Sequence, residues 1–332
     1  MPVARLLTCV VAILAVQAAT DAHPARRVLY HGLDYGSEAA FDPATYWINA
    51  AFDSTQVKVW GIPPLRMSEG TARVFDRLGS VERNVLAEGG WGRFFRTEFA
   101  SSNAVPNYTM HLIGNGGNAR MLMEWLLAHG YGELESRVLA VALVYSTCIA
   151  NEAVESQTVP ATDNYGDLLF FDLASLLLWS IDPVAEFAQK ALGVGFWHYQ
   201  PMPDVRYSRP RNAGLNLVMR PEWFGDRVTL FVYLGMTFLG GFSVKIDASN
   251  RLSFGVGMAS VDPGEARVFR ASAGVFWDRN GSLLASLQLF STDDLNLRVN
   301  LYPGLLKVAG MRPAVWFGLT GEWMPILGVV LH

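Results

Sequence analysis

The chain is poor in cysteine, with two among 332 residues, Cys9 and Cys148. Cys9 lies in the opening stretch "MPVARLLTCVVAILAVQAATDAH". Its Arg5, the apolar run Leu6 to Val16 and the small residues Ala18, Ala19 and Ala22 read as a signal peptide over residues 1–22. Once that segment is removed Cys148 stands alone, which excludes an intrachain disulfide and leaves stability to packing. Cys148 sits inside an apolar run and reads as an inert buried thiol. Charge is scarce too: 17% of residues are charged, against about 25% in ordinary globular domains. A net charge of −4, with no basic run and no aromatic-basic patch, excludes a nucleic-acid partner. Beyond the opening stretch no apolar run reaches the roughly 18–20 residues of a membrane helix. "VLAVALVYSTCIA" is too short, and "LLFFDLASLLLWSI" carries Asp172 in its middle. There is no His-Glu-x-x-His, no Gly-x-Ser-x-Gly and no phosphate-binding loop.

What the chain has is apolar surface to hide. Hydrophobic residues make up 51%, and the mean hydropathy is positive. An exported chain of this kind without a spanning helix is expected in the outer membrane or periplasm, with membrane lipid as a contact. The pattern predicts an α+β protein in three parts after the signal: a mixed region over 23–104, a helical bundle over 105–193 and an antiparallel β region over 194–332.

In the first part, Asp42 and Pro43 open a short helix through "DPATYWINAAFDSTQ". "SEGTARVFDRLGSVERNVLAEGG" spaces Val74, Phe75, Leu78, Val81, Val85 and Leu86 as an amphipathic helix ended by Gly89-Gly90. In the second part, one helix ends at Gly130, another runs from Glu133 to Glu155, a third from Thr162 or Asp163 to Ser180, and a fourth opens at Asp182-Pro183. After Gly193 the period becomes two: Leu252, Phe254, Val256 and Met258 alternate with Ser253, Gly255 and Gly257. About seven or eight strands joined by tight turns make a barrel or barrel-like sheet. In an outer-membrane barrel, Ser253, Gly255, Lys245, Arg270, Gln288 and Arg298 face inward and the apolar face meets lipid. In a soluble barrel or sandwich the faces are reversed. The low charge and the export signal favour the first, whereas the final His332, where such barrels usually end on an aromatic residue, counts against it.

The sharpest feature is "CIANEAVESQTVPATDNYGD", which gathers Glu152, Glu155, Asp163 and Asp167 at one helix join. Glutamates at a helix C-terminus oppose its dipole, whereas the two aspartates suit a helix start. If the first helix extends back to Asn107, then Asn107, His111, Asn115 and Asn118 form a polar stripe level with Glu152. "GNGGN", Gly114 to Asn118, is instead a loop if its glycines break the helix, or a place where a neighbouring backbone comes close. Together these residues make a candidate catalytic cluster of His111, Glu152, Glu155, Asp163 and Asp167, with Asn107, Asn115 and Asn118 as binding residues. Crowded carboxylates of this kind retain a proton or take a divalent metal.

"LDYGS" (Leu33 to Ser37), "WINAAFDSTQ", "NYTMHLIGNGG", "NEAVE" and "TDNYGDLLFFDLA" resemble an uncharacterised family of exported proteins from diderm bacteria, a domain of unknown function, over roughly residues 30–180. The order of a histidine helix, paired acids and helix-opening aspartates is more loosely similar to VanZ-like envelope proteins, although no basic residues accompany the acids between Gln157 and Asp167. The resemblance implies a bacterial envelope location and a shared site at the join, and no reaction. Three functions stay open: an outer-membrane protein with a structural or lipid- or ligand-contacting role, an envelope hydrolase using metal or acid/base chemistry on a lipid or cell-wall substrate, and a periplasmic binding module.

Overall fold

A computed structural model describes residues 27–53, 65–156, 159–204, 209–262, 268–290 and 295–330. The expected signal peptide with Cys9, the turns at 263–266 and 291–294, and His332 lie outside the described residues. The chain forms two compact units, one containing residues 27–30 and 65–185 and the other residues 31–53 and 186–330.

The β unit begins with two helices, α1 (Gly36–Ala39) and α2 (Pro43–Ala51). Asp42 caps α2 as its position predicts, its Oδ1 accepting from Ala44 N at 2.8 Å and Thr45 N at 3.0 Å. The helical unit follows with α3 (Leu65–Leu78), α4 (Val81–Ala87) and α5 (Trp91–Ala100). The single amphipathic helix expected here is broken between Leu78 and Val81, and Val74, Leu78 and Val85 carry its buried face. Gly89 and Gly90, at φ 108° and 85°, end it in a conformation that side chains disfavour.

Next comes one long rod: a turn at Ala104–Pro106, a π-helix π1 (Asn107–Asn115) and α6 (Gly116–Ala128). The "GNGGN" segment is therefore helical. Its glycines serve close approach, since a Cβ on Gly116 would stand 2.2 Å from Trp179 Cδ1 and 2.8 Å from Ser175 O. Helix α7 spans Glu133–Glu155, and the third rod joins α8 (Ala161–Tyr165), a second π-helix π2 (Gly166–Asp172) and α9 (Leu173–Trp179). The last helix, α10, covers Asp182–Leu192. As a continuous helix of 23 residues, α7 is long and apolar enough to cross a membrane, with a mean hydropathy of 1.4 over its most apolar 18 residues. This corrects the sequence expectation, which counted only its central run. The helix packs against α3 and α6 and buries Arg137 and Glu152, the behaviour of a core helix.

The strands are β1 (Gly195–Phe196), β2 (Met202–Asp204), β3 (Arg209–Arg211), β4 (Leu217–Met219), β5 (Val228–Leu234), β6 (Thr237–Lys245), β7 (Asn250–Asp262), β8 (Val268–Arg279), β9 (Ser282–Leu289), β10 (Leu295–Leu301), β11 (Ala314–Thr320) and β12 (Pro325–Val330). Ten of them form one antiparallel sheet in the order β1-β4-β5-β6-β7-β8-β9-β10-β11-β12, and β2 with β3 forms a separate hairpin. The count exceeds the seven or eight expected because β1 and β4, at two and three residues, are too short to show a period. The sheet curls into a half-barrel and stays open, with β1 and β12 as its edges.

The faces of this sheet are inverted. One outward row runs Leu230, Phe242, Phe254, Val275, Leu287, Val299, Phe317, Leu327 across eight strands, each residue paired with the next. The flanking rows, from Val228 to Val329 and from Val232 to Pro325, carry no polar side chain. These residues are exposed or half-exposed: Val256 keeps 69% of its surface and Leu327 67%. The alternate residues are buried although many are polar, including Thr229, Ser243, Ser253, Ser286, Gln288, Arg298 and Asn300. Ser253 and Ser243 pair at 2.9 Å, and Arg298 donates to Gln288 Oε1 while lying 3.9 Å from the Tyr199 ring centre. The inward positions expected for Ser253, Gly255, Gln288 and Arg298 are those observed. Lys245 lies at a strand end with its Nζ on Asp226, and Arg270, two residues into β8, is exposed.

The concave side is filled from two parts of the chain. Ala40 joins Trp197, Phe231, Tyr233, Leu239, Phe276, Leu283 and Tyr302 in one core. Asn49 donates to Tyr199 O and accepts from Gly214 N, and Leu283 N donates to Ser37 Oγ at 3.1 Å. Inward-facing Gly274 makes room for Phe276, whose ring a Cβ there would meet at 2.6 Å.

His198 is buried in this filling, its ring 4.7 Å from that of Phe41 and 6.0 Å from that of Tyr46. Burial pushes its pKa down from 6.5 to about 3. A folded pKa below the unfolded one gives stability that is present above pH 6.5 and is lost as the pH falls toward 3, at about 1.4 kcal/mol per pH unit. We expect the denaturant midpoint of the β unit to fall between pH 6.5 and 4.5, and His198→Phe to flatten that dependence. An equal slope in the variant would show that burial of His198 is not its source.

Candidate functional site

The helical unit places the expected residues on four elements. His111 and Asn115 lie on π1, Glu152 near the end of α7, Asp163 on α8, and Asp167 on π2. Glu152, Asp163 and Asp167 each offer a carboxylate oxygen, and these lie within 4.8 Å of one another. His111 Nε2 is 3.6 Å from Asp167 Oδ2, so the imidazole joins the group from π1. Its other nitrogen, Nδ1, is 3.0 Å from Oδ1 of Asp172, which also accepts from Asn115 Nδ2 at 2.8 Å. Asn164 Nδ2 donates to Glu152, and Arg77 from α3 donates to Asn164 Oδ1 at 2.7 Å and to the carbonyls of Ser156 and Val159. Arg77 thus reaches the join from α3, bonded to an amide and to backbone carbonyls. Glu88, just past α4, accepts from Ala161 N at 3.0 Å and Thr162 N at 3.2 Å, capping the start of α8 with charge.

The remaining expected residues lie at the margin. Asn107 is buried and donates to Glu98 O at 3.0 Å and to Glu98 Oε2 at 3.2 Å. Asn118 donates to Gly114 O within its own rod. Glu155 is half-buried and outside the three-carboxylate group. Three residues of α-helix make about 300° of turn, so it stands about 60° away from Glu152. Asp172, Asn164, Glu98 and Arg77 are members that the sequence did not single out. For Asp172 the signal was there: a fully buried carboxylate in the middle of "LLFFDLASLLLW".

Burial governs the electrostatics. It opposes the imidazolium of His111, but Asp167 and Asp172 overcome this and hold the His111 pKa well above 6.5. Burial, reinforced by Asp163, pushes Glu152 up to about 8, against the pull of His111 and Asn164. Asp167 is raised well above the ordinary carboxylate range, also by burial first. Burial and Asp163 bring Glu98 to about 7. The Cys148 thiol, 3.4 Å from Asn115 Nδ2, is raised by burial and Asp172 and stays protonated, in keeping with an inert thiol. Two carboxylate oxygens, Asp167 Oδ1 and Asp172 Oδ2, are buried with no hydrogen-bond partner among the described residues.

Such an arrangement can hold a proton between acids, pass one through His111, whose side chain keeps 22% of its surface exposed, or bind a cation. Comparison with protein-family models, with curated proteins and with solved structures finds no match for this chain.

Asp172 is the residue on which the local structure leans. Asp172→Ala leaves His111 and Asn115 without their shared acceptor and is expected to cost about 2–4 kcal/mol. Glu82→Gln, at an exposed position on α4, is expected to change stability by no more than about 0.5 kcal/mol. Chemical denaturation of both variants checks this, and equal effects would show that the network is not organised on Asp172.

Proposed function

We propose that this chain is an outer-membrane protein of a diderm bacterium, exported by its N-terminal segment and seated in lipid through the convex face of its half-barrel. The observation that carries this reading is the inverted sheet: exposed apolar rows outside and a buried polar network inside. Water-soluble sheets bury the apolar face; only an apolar solvent rewards the reverse. On β7 the apolar positions run from Leu252 to Met258, which at about 3.3 Å per residue gives a band roughly 20 Å deep, somewhat under the ~25 Å of outer-membrane barrels. Exposed aromatic residues stand beyond both ends of the strands, Trp223 and Phe224 before β5 and Trp323 between β11 and β12. Tryptophan prefers this level in a bilayer. Since lipid cannot satisfy backbone N–H and C=O groups, the reading requires the edges β1 and β12 to be covered in the membrane. The resemblance over residues 30–180 supports the envelope location.

A specific substitution separates lipid from water. Val256→Arg on a water-facing surface would leave stability within about 0.5 kcal/mol, whereas at a bilayer midplane it costs about 2–4 kcal/mol. We expect wild-type protein to co-float with liposomes and resist carbonate extraction, and Val256→Arg to reduce insertion. A soluble variant with unchanged stability and a soluble wild type would overturn the reading.

The His111–Asp172 pair favours a second reading, in which the helical unit of the same protein performs hydrolysis with His111 as base or metal ligand. Loss of activity on lipid or cell-wall substrates in His111→Asn would support it.

A further inference from the structure

The helical unit confines Glu152, Asp163, Asp167 and Asp172 with His111 as the nearest imidazole, while Arg77 turns to an asparagine and to backbone carbonyls. Charges removed from water need a counter-charge close by, and cations are the strongest available.

We propose that Glu152, Asp163, Asp167 and His111 Nε2 form a binding site for one first-row divalent cation of the Mn²⁺, Fe²⁺ or Zn²⁺ class, with Asp172 as the residue that positions His111. Three independent features point there. The first is the mutual approach of three carboxylate oxygens within 4.8 Å, small enough to close on one ion. The second is the orphaned Asp167 Oδ1, a fully buried oxygen that no donor among the described residues reaches, on a side chain only 6% exposed within this group. The third is the orientation of His111. Its Nδ1 lies 3.0 Å from Asp172 and its Nε2 lies 3.6 Å from Asp167 Oδ2. Two ligands about 2.1 Å from a tetrahedral metal stand about 3.4 Å apart, so that pair needs little movement. A carboxylate on the far nitrogen is the arrangement that fixes the tautomer of a metal-bound histidine.

The donor set selects the ion. One imidazole among carboxylates suits Mn²⁺, Fe²⁺ and Zn²⁺ better than Ca²⁺ or Mg²⁺, which prefer oxygen alone. Copper(I) would want thiolate, and the described free cysteine, Cys148, faces Asn115. The site lies wholly in the helical unit, so it stands or falls separately from the lipid reading.

Full-length protein in detergent, stripped with a chelator and dialysed against Mn²⁺, Zn²⁺, Mg²⁺ or Ca²⁺, tests this by elemental analysis. About one equivalent of Mn²⁺ or Zn²⁺ per chain is expected, with Mg²⁺ and Ca²⁺ bound at least tenfold more weakly. Asp167→Asn and Glu152→Gln should each lower affinity at least tenfold, Asp172→Asn about 10–100-fold, and the exposed Glu82→Gln not at all. Pulsed electron paramagnetic resonance of the Mn²⁺ form should show nitrogen coupling that His111→Gln abolishes. This readout uses the wild-type fold if the acid variants fail to fold. Substoichiometric binding of all four ions, equal binding of Ca²⁺, or a Mn²⁺ signal without nitrogen would each overturn the proposal.

Discussion

A polar group taken out of water has to find a partner, and that single demand organises both units of this protein. In the β unit, inward serines, Asn300, Gln288 and Arg298 bond to one another on the concave side, which leaves the apolar residues to face outward. In the helical unit, the demand falls on a few carboxylates among apolar rods, and the answer is a network of asparagines around one histidine. Neither arrangement follows from maximising apolar burial. Each requires apolar surface to be given up elsewhere, as the exposed Val256 and Leu327 record.

The two π-helices are the local device that makes the helical network possible. In an α-helix Asp167 and Asp172 are about 140° apart and could not reach the same imidazole. Hydrogen bonding from i to i+5 widens the turn and brings residues five apart into line, so π2 presents both acids to His111. Helices of this kind are uncommon and recur at functional positions, and here two of them face each other across the site.

This also explains what the sequence could and could not reveal. The helix ends at Asp42, Gly130, Glu133 and Glu155 follow from caps and glycines, which act over a few residues and leave a local trace. The period of two marked the long strands and even their inward set, because pleating fixes alternation regardless of which solvent lies outside. Asp172 was visible as a lone acid in an apolar run, but its pairing with His111 depends on a helix pitch that no residue type announces. Arg77 escaped because its side-chain partners are 79–87 residues away and are backbone or amide groups. Glu155 shares the last turn of α7 with Glu152 but lies outside the three-carboxylate group, because helical spacing alone does not fix which acids converge. The short β1 and β4 contain too few residues to display any pattern.

The joining of the concave filling to the far end of the chain bears on how this protein comes to be made. Ser37 and Glu38 bond to Leu283 and Ser282, residues synthesised 244–246 positions later. Closing a loop of that length costs about 5 kcal/mol in chain entropy, comparable to the whole stability of a small domain. Residues 31–53 therefore cannot complete their docking until β9 has emerged, although Asn49 meets Tyr199 and Gly214 earlier. A nascent chain released before that point leaves Ser37 and Glu38 without their strand partners.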